Sequence, residues 1–243
     1  MRIFLCGGGC GQQTVDANKK LNEVIDHNKP ILYIPLAMPS ERYPSCYEWI
    51  KDELKGIDVP NIDMVVSGTD LFNKNLENYS ALFIGGGNTF KLLKDLKDSG
   101  SFEKIKVFIE NNGIVFGGSA GAIILGQCID TCKYADKNEV DLKDLMGFDV
   151  VSHFSFLCHF TNQTSVYKGY KQDKIEMRGD RAEMSDFPLY LNTVAGGLDR
   201  RDQTIGGFSF VVKIYAVPVV EIIGQLLYLL GRYGFNAQFG DCL

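Results

Sequence analysis

The chain has 243 residues, 45% of them hydrophobic and 23% charged, with a formal net charge of −5 at pH 7. That length and apolar content suffice for one sizeable core in a single domain spanning residues 1–243. The acidic balance, with no cluster of Lys and Arg, argues against a nucleic-acid surface and for a small partner.

Seven cysteines, an odd number without a C-x-x-C pair, suit a reducing compartment in which most of them act as small buried hydrophobes. The opening run Arg2-Ile3-Phe4-Leu5-Cys6 is too short for the apolar core of a secretory leader, so a cytoplasmic location is expected. Residues 3–6 read instead as a first strand, Gly7 to Gly11 as its loop, and residues 14–27 as a helix with Val15, Leu21, Val24 and Ile25 inward. This opening superficially suits a dinucleotide fingerprint. Gln12 stands where its third glycine belongs, however, and the next strand, residues 31–35, lacks the terminal acid that would hold a ribose. NAD is therefore not expected.

A helix is predicted over residues 43–55, carrying the single tryptophan, Trp49; strands follow at 62–66 and 81–84. Strands alternating with helical stretches indicate an α/β fold, doubly wound, with a largely parallel sheet, helices on both faces and a site at the strand C-termini. After the fourth strand, Gly85-Gly86-Gly87 leaves backbone N–H groups unobstructed, as an oxyanion hole requires, and Asn88 or Thr89 can cap the helix that follows. A further helix over 102–112 leads into the next strand.

That strand, Ile114-Val115-Phe116, meets Gly117-Gly118-Ser119-Ala120-Gly121 and then an apolar helical start over 120–126. A serine at a strand-to-helix turn between glycines is a nucleophile elbow: the glycines permit a cramped backbone and keep side chains away from the hydroxyl. The helix start beside it favours a developing negative charge. The polar run 134–144, with Asp136, Glu139, Asp141 and Asp144, reads as a solvated loop or helix face, and residues 146–151 as another strand. Two histidines follow, His153 and His159, the latter in Leu157-Cys158-His159-Phe160-Thr161-Asn162. A histidine closing an apolar segment downstream of an elbow serine is the expected general base.

Three motifs in order, Gly85-Gly86-Gly87-Asn88-Thr89-Phe90, Gly117-Gly118-Ser119-Ala120-Gly121-Ala122 and His159-Phe160-Thr161-Asn162, closely resemble the peptidase E (aspartyl dipeptidase) group of S51 serine peptidases. The resemblance covers about residues 1–162. It implies a class I glutamine amidotransferase-like fold, Ser119 as nucleophile, His159 as base, and the Gly87 and Ala120 amides as oxyanion donors, with Asn88 beside them in the substrate-binding group. It also implies small peptides as substrates, dipeptides with an N-terminal aspartate preferred. For the orienting acid it points to Asp136, with Asp141 and then Glu221 behind it; the Pro-Glu-Gly segment that peptidase E carries downstream of its histidine has no counterpart here. A basic residue for an aspartyl substrate is sought among Arg178, Arg181 and Arg200.

Beyond residue 162 the pattern thins. Residues 167–184 are charged and suit a surface helix, 186–191 a strand, and the apolar tail 208–231 is interrupted by Lys213, Pro218, Glu221 and Gln225. Those interruptions favour a strand and packed helix, or an oligomer contact such as a homodimer's, over a membrane span. Acyl chemistry needs no organic cofactor, and neither the three histidines nor the cysteine spacings form a metal pattern. Two other readings stand beside the serine peptidase: a binding or regulatory protein that kept the sheet but lost the triad, and a cysteine nucleophile at Cys158.

Overall fold

The computed structural model describes residues 2–150, 155–158, 211–214 and 220–221. The predicted helix at 167–184, the strand at 186–191 and the helical part of the apolar tail lie outside them.

Four apolar runs become the centre of a sheet because both of their faces are covered. In β1 (Arg2–Cys6), β2 (Ile31–Ile34), β4 (Ala81–Ile84) and β5 (Ile114–Gly118), successive side chains point to opposite faces. Ile3, Leu5, Leu32, Ile34, Leu82, Ile84 and Val115 enter one core cluster, while Phe4, Cys6, Ile31, Tyr33, Ala81, Phe83, Ile114 and Phe116 enter the other. The second cluster is closed by α1 (Val15–Asn22) and α2 (Tyr43–Glu53). The first is closed by α3 (Gly68–Asn73), α4 (Thr89–Asp98), α5 (Ser101–Glu110) and α6 (Ala120–Ile124). With β3 (Ile62–Met64) and β8 (Val220–Glu221) the strand order is β3-β2-β4-β5-β1-β8. The first five strands are parallel and β8 is antiparallel to β1. This is the doubly wound α/β sheet that the sequence predicts. A separate parallel pair joins β6 (Ser155–Cys158) to β7 (Val211–Ile214), so the apolar tail contributes strands to both sheets.

One aromatic row fixes the register. Tyr33, Phe83, Phe116 and Phe4 are directly paired across β2, β4, β5 and β1. Their rings meet in sequence at 5.9, 4.4 and 5.9 Å. Such cross-strand pairs penalise any slip, because a one-residue shift would send each ring to the opposite face. The row therefore holds the C-terminal ends of β4, β5 and β1 level, with the glycine loop after β4 and the turn after β5 on adjacent strands.

Residues 146–150, the described part of the run 146–151, do not form the predicted strand. Among the described ones, only Met146 makes a bridge, to Cys128. The amides of Gly147, Phe148, Asp149 and Val150 donate to the carbonyls of Gln127, Ile124, Gly126 and Leu125. Those carbonyls belong to the last residue of α6 and the three that follow it, so the apolar run closes the C-terminal end of a buried helix. Phe148 then stacks on Phe102 at 4.1 Å.

α6 is pressed into the sheet. A Cβ on Gly121 would lie 2.2 Å from the Ile84 carbonyl oxygen, and one on Gly117 would lie 2.5 Å from the Gly121 oxygen. Gly121→Ala is expected to destabilise the fold by about 2–3 kcal/mol or more, since both clashing partners are backbone. Urea unfolding of the variant beside the parent checks this, and an unchanged midpoint would contradict the packing.

Candidate active site

The turn from β5 into α6 gives Ser119 φ 51° and ψ −113°. A residue with a side chain pays about 1–3 kcal/mol to sit there, so the surroundings must impose it. They do so through hydrogen bonds on both sides of the residue. The Ser119 N–H donates to the Cys6 carbonyl at the end of β1 (2.9 Å), and the Ser119 carbonyl accepts from the Ala122 and Ile123 amides (2.9 and 3.0 Å). The Cys158 thiol, at the end of β6, also donates to that carbonyl (3.5 Å). Ser119 itself is half-buried. The expected elbow is thus present. α6 has only five residues, however, so single amides rather than a long helix dipole provide the local positive field.

The glycine loop after β4 lies over the elbow. A Cβ on Gly86 would be 3.0 Å from Ser119 Cβ and 3.5 Å from its Oγ. Gly87 has φ +136°, and a Cβ there would meet the Ala37 carbonyl oxygen at 2.4 Å. The Asn88 amide donates to that same oxygen (2.8 Å), which ties the loop to the segment following β2. The side chain of Asn88 is engaged within the fold. Its Oδ1 accepts from the Lys91 amide (2.9 Å) as the N-cap of α4, and its Nδ2 donates to the Lys137 carbonyl (2.8 Å).

The acids of the polar run separate by their partners. Asp136 is half-buried, and its Oδ2 accepts from both the amide (2.8 Å) and the hydroxyl (2.6 Å) of Thr89, the first residue of α4. Asp141 is exposed and paired with Lys143, and Asp144 bonds Lys97 (2.6 Å), which holds its carboxyl below the usual range. Glu139 is exposed. Only Asp136 of the four is joined to the glycine loop. Glu221 has its backbone on β8, in register with Phe4 of β1. His159, His153 and the three arginines proposed for specificity lie outside the described residues.

Three thiols surround the elbow. Cys158 is buried, and its thiol is pushed well above the ordinary value, first by burial and then by Cys6, Cys132 and Asp136 nearby. Cys132 and Cys6 are raised by burial as well. A thiol that stays protonated is a poor nucleophile, which argues against the cysteine reading at Cys158. Of the described cysteines all are free and only Cys10 is exposed. The raised values also give a pH dependence. A thiol or phenol whose folded pKa exceeds its unfolded one stabilises the fold below the unfolded pKa and loses that contribution as pH rises through it. Cys132, Cys158 and Tyr33 all shift this way, and burial pushes Tyr79 up to about 12. Stability is expected to fall progressively above about pH 9, where unfolded cysteine and tyrosine begin to ionise. Thermal melts between neutral and alkaline pH check this, and a flat profile would contradict it.

The glycine loop after β1, residues 7–11, also differs from a nucleotide-binding loop in that its Gly11 amide is taken by a carboxylate of the fold. Glu53, closing α2, accepts from the Gly11 amide (2.9 Å), from the Asn18 side chain (2.9 Å) and from the Thr14 hydroxyl. Among the described residues no helix is long and apolar enough to cross a membrane, and no three His, Cys, Asp or Glu side chains gather as a metal site.

A parallel sheet with a strained serine at the end of a central strand, beside a glycine loop on the neighbouring strand, defines an α/β protein of the class I glutamine amidotransferase-like fold. The family model for peptidase family S51 matches residues 3–183, and the chain belongs to that family. It is 28% identical over 160 residues to peptidase E of Shigella flexneri serotype 5b, covering 64% of this chain and 65% of that protein. It is also 28% identical over 139 residues to an uncharacterised peptidase of Pasteurella multocida, covering 56% and 67%. The matched stretch therefore spans about two thirds of the length of these relatives. Among solved structures, a protein provisionally named peptidase E from Listeria monocytogenes EGD-e superposes with a TM-score of 0.56 at 24% identity, over 72% of this chain and 86% of that one.

Proposed function

We propose that the protein is a serine-type peptidase acting on small peptides, aspartyl dipeptides among them, through Ser119 and His159. The observation that carries this reading is the conformation of Ser119, strained at φ 51° and fixed by the Cys6 carbonyl, with the loop of Gly85 to Gly87 over it. Two features support its chemistry. Among the described residues neither the Gly87 nor the Ala120 amide meets a protein acceptor, so both are available to a developing oxyanion. In addition, the chain touches the elbow at Cys158, one residue before His159.

In this mechanism His159 takes the Ser119 hydroxyl proton as the oxygen attacks the scissile carbonyl. The resulting oxyanion lies against the Gly87 and Ala120 amides. Collapse breaks the C–N bond, and protonated His159 passes its proton to the leaving amine. Water then repeats the cycle on the acyl-serine and releases the acid. Asp136 is the orienting acid in this scheme, supported by its link to Thr89 after the glycine loop and by its proximity to the thiol of Cys158, which precedes His159 in the sequence.

The test is hydrolysis of a dipeptide panel by the full chain. Release of amino acids, fastest with N-terminal aspartate and abolished in His159→Ala, is the expected result. A folded protein that binds such dipeptides without cleaving them would instead establish the binding-protein alternative.

A further inference from the structure

Thr89 stands in the loop motif without a role in the chemistry above, yet it is completely buried and gives both of its donors to one oxygen of Asp136. A threonine at the first helical position has no need to do this for capping, because Asn88 already caps α4 through the Lys91 amide. The Thr89 amide is one of the helix's orphan donors and sits where a carboxylate is favoured. Its hydroxyl adds a second, charge-assisted bond in a different direction. Two donors converging on Oδ2 fix the plane of the carboxylate, and among the described residues Oδ1 takes no hydrogen bond.

The contact also joins two parts of the site that are 47 residues apart in sequence. Thr89 follows Gly87 by two residues, and Asp136 precedes Lys137, whose carbonyl receives the Asn88 side chain. The acid-bearing turn and the oxyanion loop are thus fastened together twice, at 88–137 and at 89–136.

We propose that Thr89 is a positioning residue. By holding Asp136 Oδ2 it fixes the carboxylate with Oδ1 left open for the base of the proposed function, and it keeps the acid and the glycine loop in one rigid unit. This rests on the assignment of Asp136 as orienting acid. Among the described residues the thiols of Cys132 and Cys158 feel that carboxylate, and burial keeps both protonated, so neither competes for it near neutral pH.

The test compares Thr89→Val, which keeps the shape and loses the hydroxyl, with Thr89→Ser, which keeps the hydroxyl, and with Asp136→Asn, all as full-length chains checked for folding by thermal melts. Loss of a hydrogen bond to a charged group should lower kcat in Thr89→Val by about ten- to a hundredfold with KM nearly unchanged, and Thr89→Ser should restore most of it. A misplaced carboxylate stabilises the imidazolium less, so the acid limb of kcat/KM should move to lower pH in Thr89→Val and further in Asp136→Asn. If Asp136→Asn retains both the rate and the profile, the assignment of the acid fails. If Asp136→Asn is impaired while Thr89→Val retains both, or if the Thr89→Val loss comes without a shift of the acid limb, the inference about Thr89 alone is overturned. Should Thr89→Val not fold, Thr89→Ala takes its place beside Thr89→Ser, and failure of Ser to exceed Ala in rate overturns the inference equally.

Discussion

Ser119→Ala is expected to fold like the parent and to lose peptide hydrolysis by about 10⁴- to 10⁶-fold, because nucleophile and base act as a unit and neither retains much activity alone. Folding should survive because the contacts that fix the elbow belong to the backbone. The Ser119 N–H bonds Cys6, its carbonyl receives Ala122, Ile123 and Cys158, and none of these needs the hydroxyl. Alanine must still accept φ 51°, so a loss of stability of about 1 kcal/mol or less relative to serine is tolerable. Steady-state turnover with a thermal melt on the same preparation separates the two effects. Turnover within tenfold of the parent would remove Ser119 from the mechanism.

Gly87→Ala should lower kcat by about 10²- to 10³-fold, the usual cost of losing one oxyanion donor, with a smaller change in KM. Two separate constraints act at this residue. Its φ of +136° belongs to a region that residues with a Cβ rarely enter, and the added Cβ would stand 2.4 Å from the Ala37 oxygen and 2.9 Å from Met38 Sδ. Relief requires the loop to retreat from Ala37, which breaks the Asn88–Ala37 hydrogen bond and displaces the Gly87 amide together with Gly86, the residue that lies against Ser119. Gly56→Ala is the matched control, since nothing lies within 4 Å of a Cβ there. Equal kcat values in the two variants would mean that the Gly87 amide has no part in catalysis.

Much of this architecture could be read directly from the residues, and the reasons are local. Strands buried on both faces are near-continuous apolar runs, so 3–6, 31–35 and 81–84 were recognisable without their partners. The elbow is equally plain, because the close backbone packing around Ser119 leaves no room for a Cβ at Gly117 or Gly121, which are near it in sequence. Features that depend on distant residues were not visible. The run 146–151 has the composition of a strand, but the amides of Gly147 to Val150 bond carbonyls at and just after the end of α6, a use that periodicity alone cannot distinguish from sheet pairing. The aromatic row of Tyr33, Phe83, Phe116 and Phe4 exists only once the register of four strands is known. Asp136 had the surroundings of a solvated acid in sequence, and its connection to Thr89 arises wholly from tertiary folding. A Thr or Ser one residue after a capping Asn is the one local sign that could have raised the question.

The proposed function depends on one activated hydroxyl, that of Ser119. Incubating the intact protein with a fluorophosphonate and mapping the adduct by tandem mass spectrometry tests it most directly. A single stoichiometric adduct on Ser119 is expected, formed far faster than on free serine and abolished by prior denaturation. A folded protein that stays unlabelled, or that carries its adduct on another residue, would contradict it.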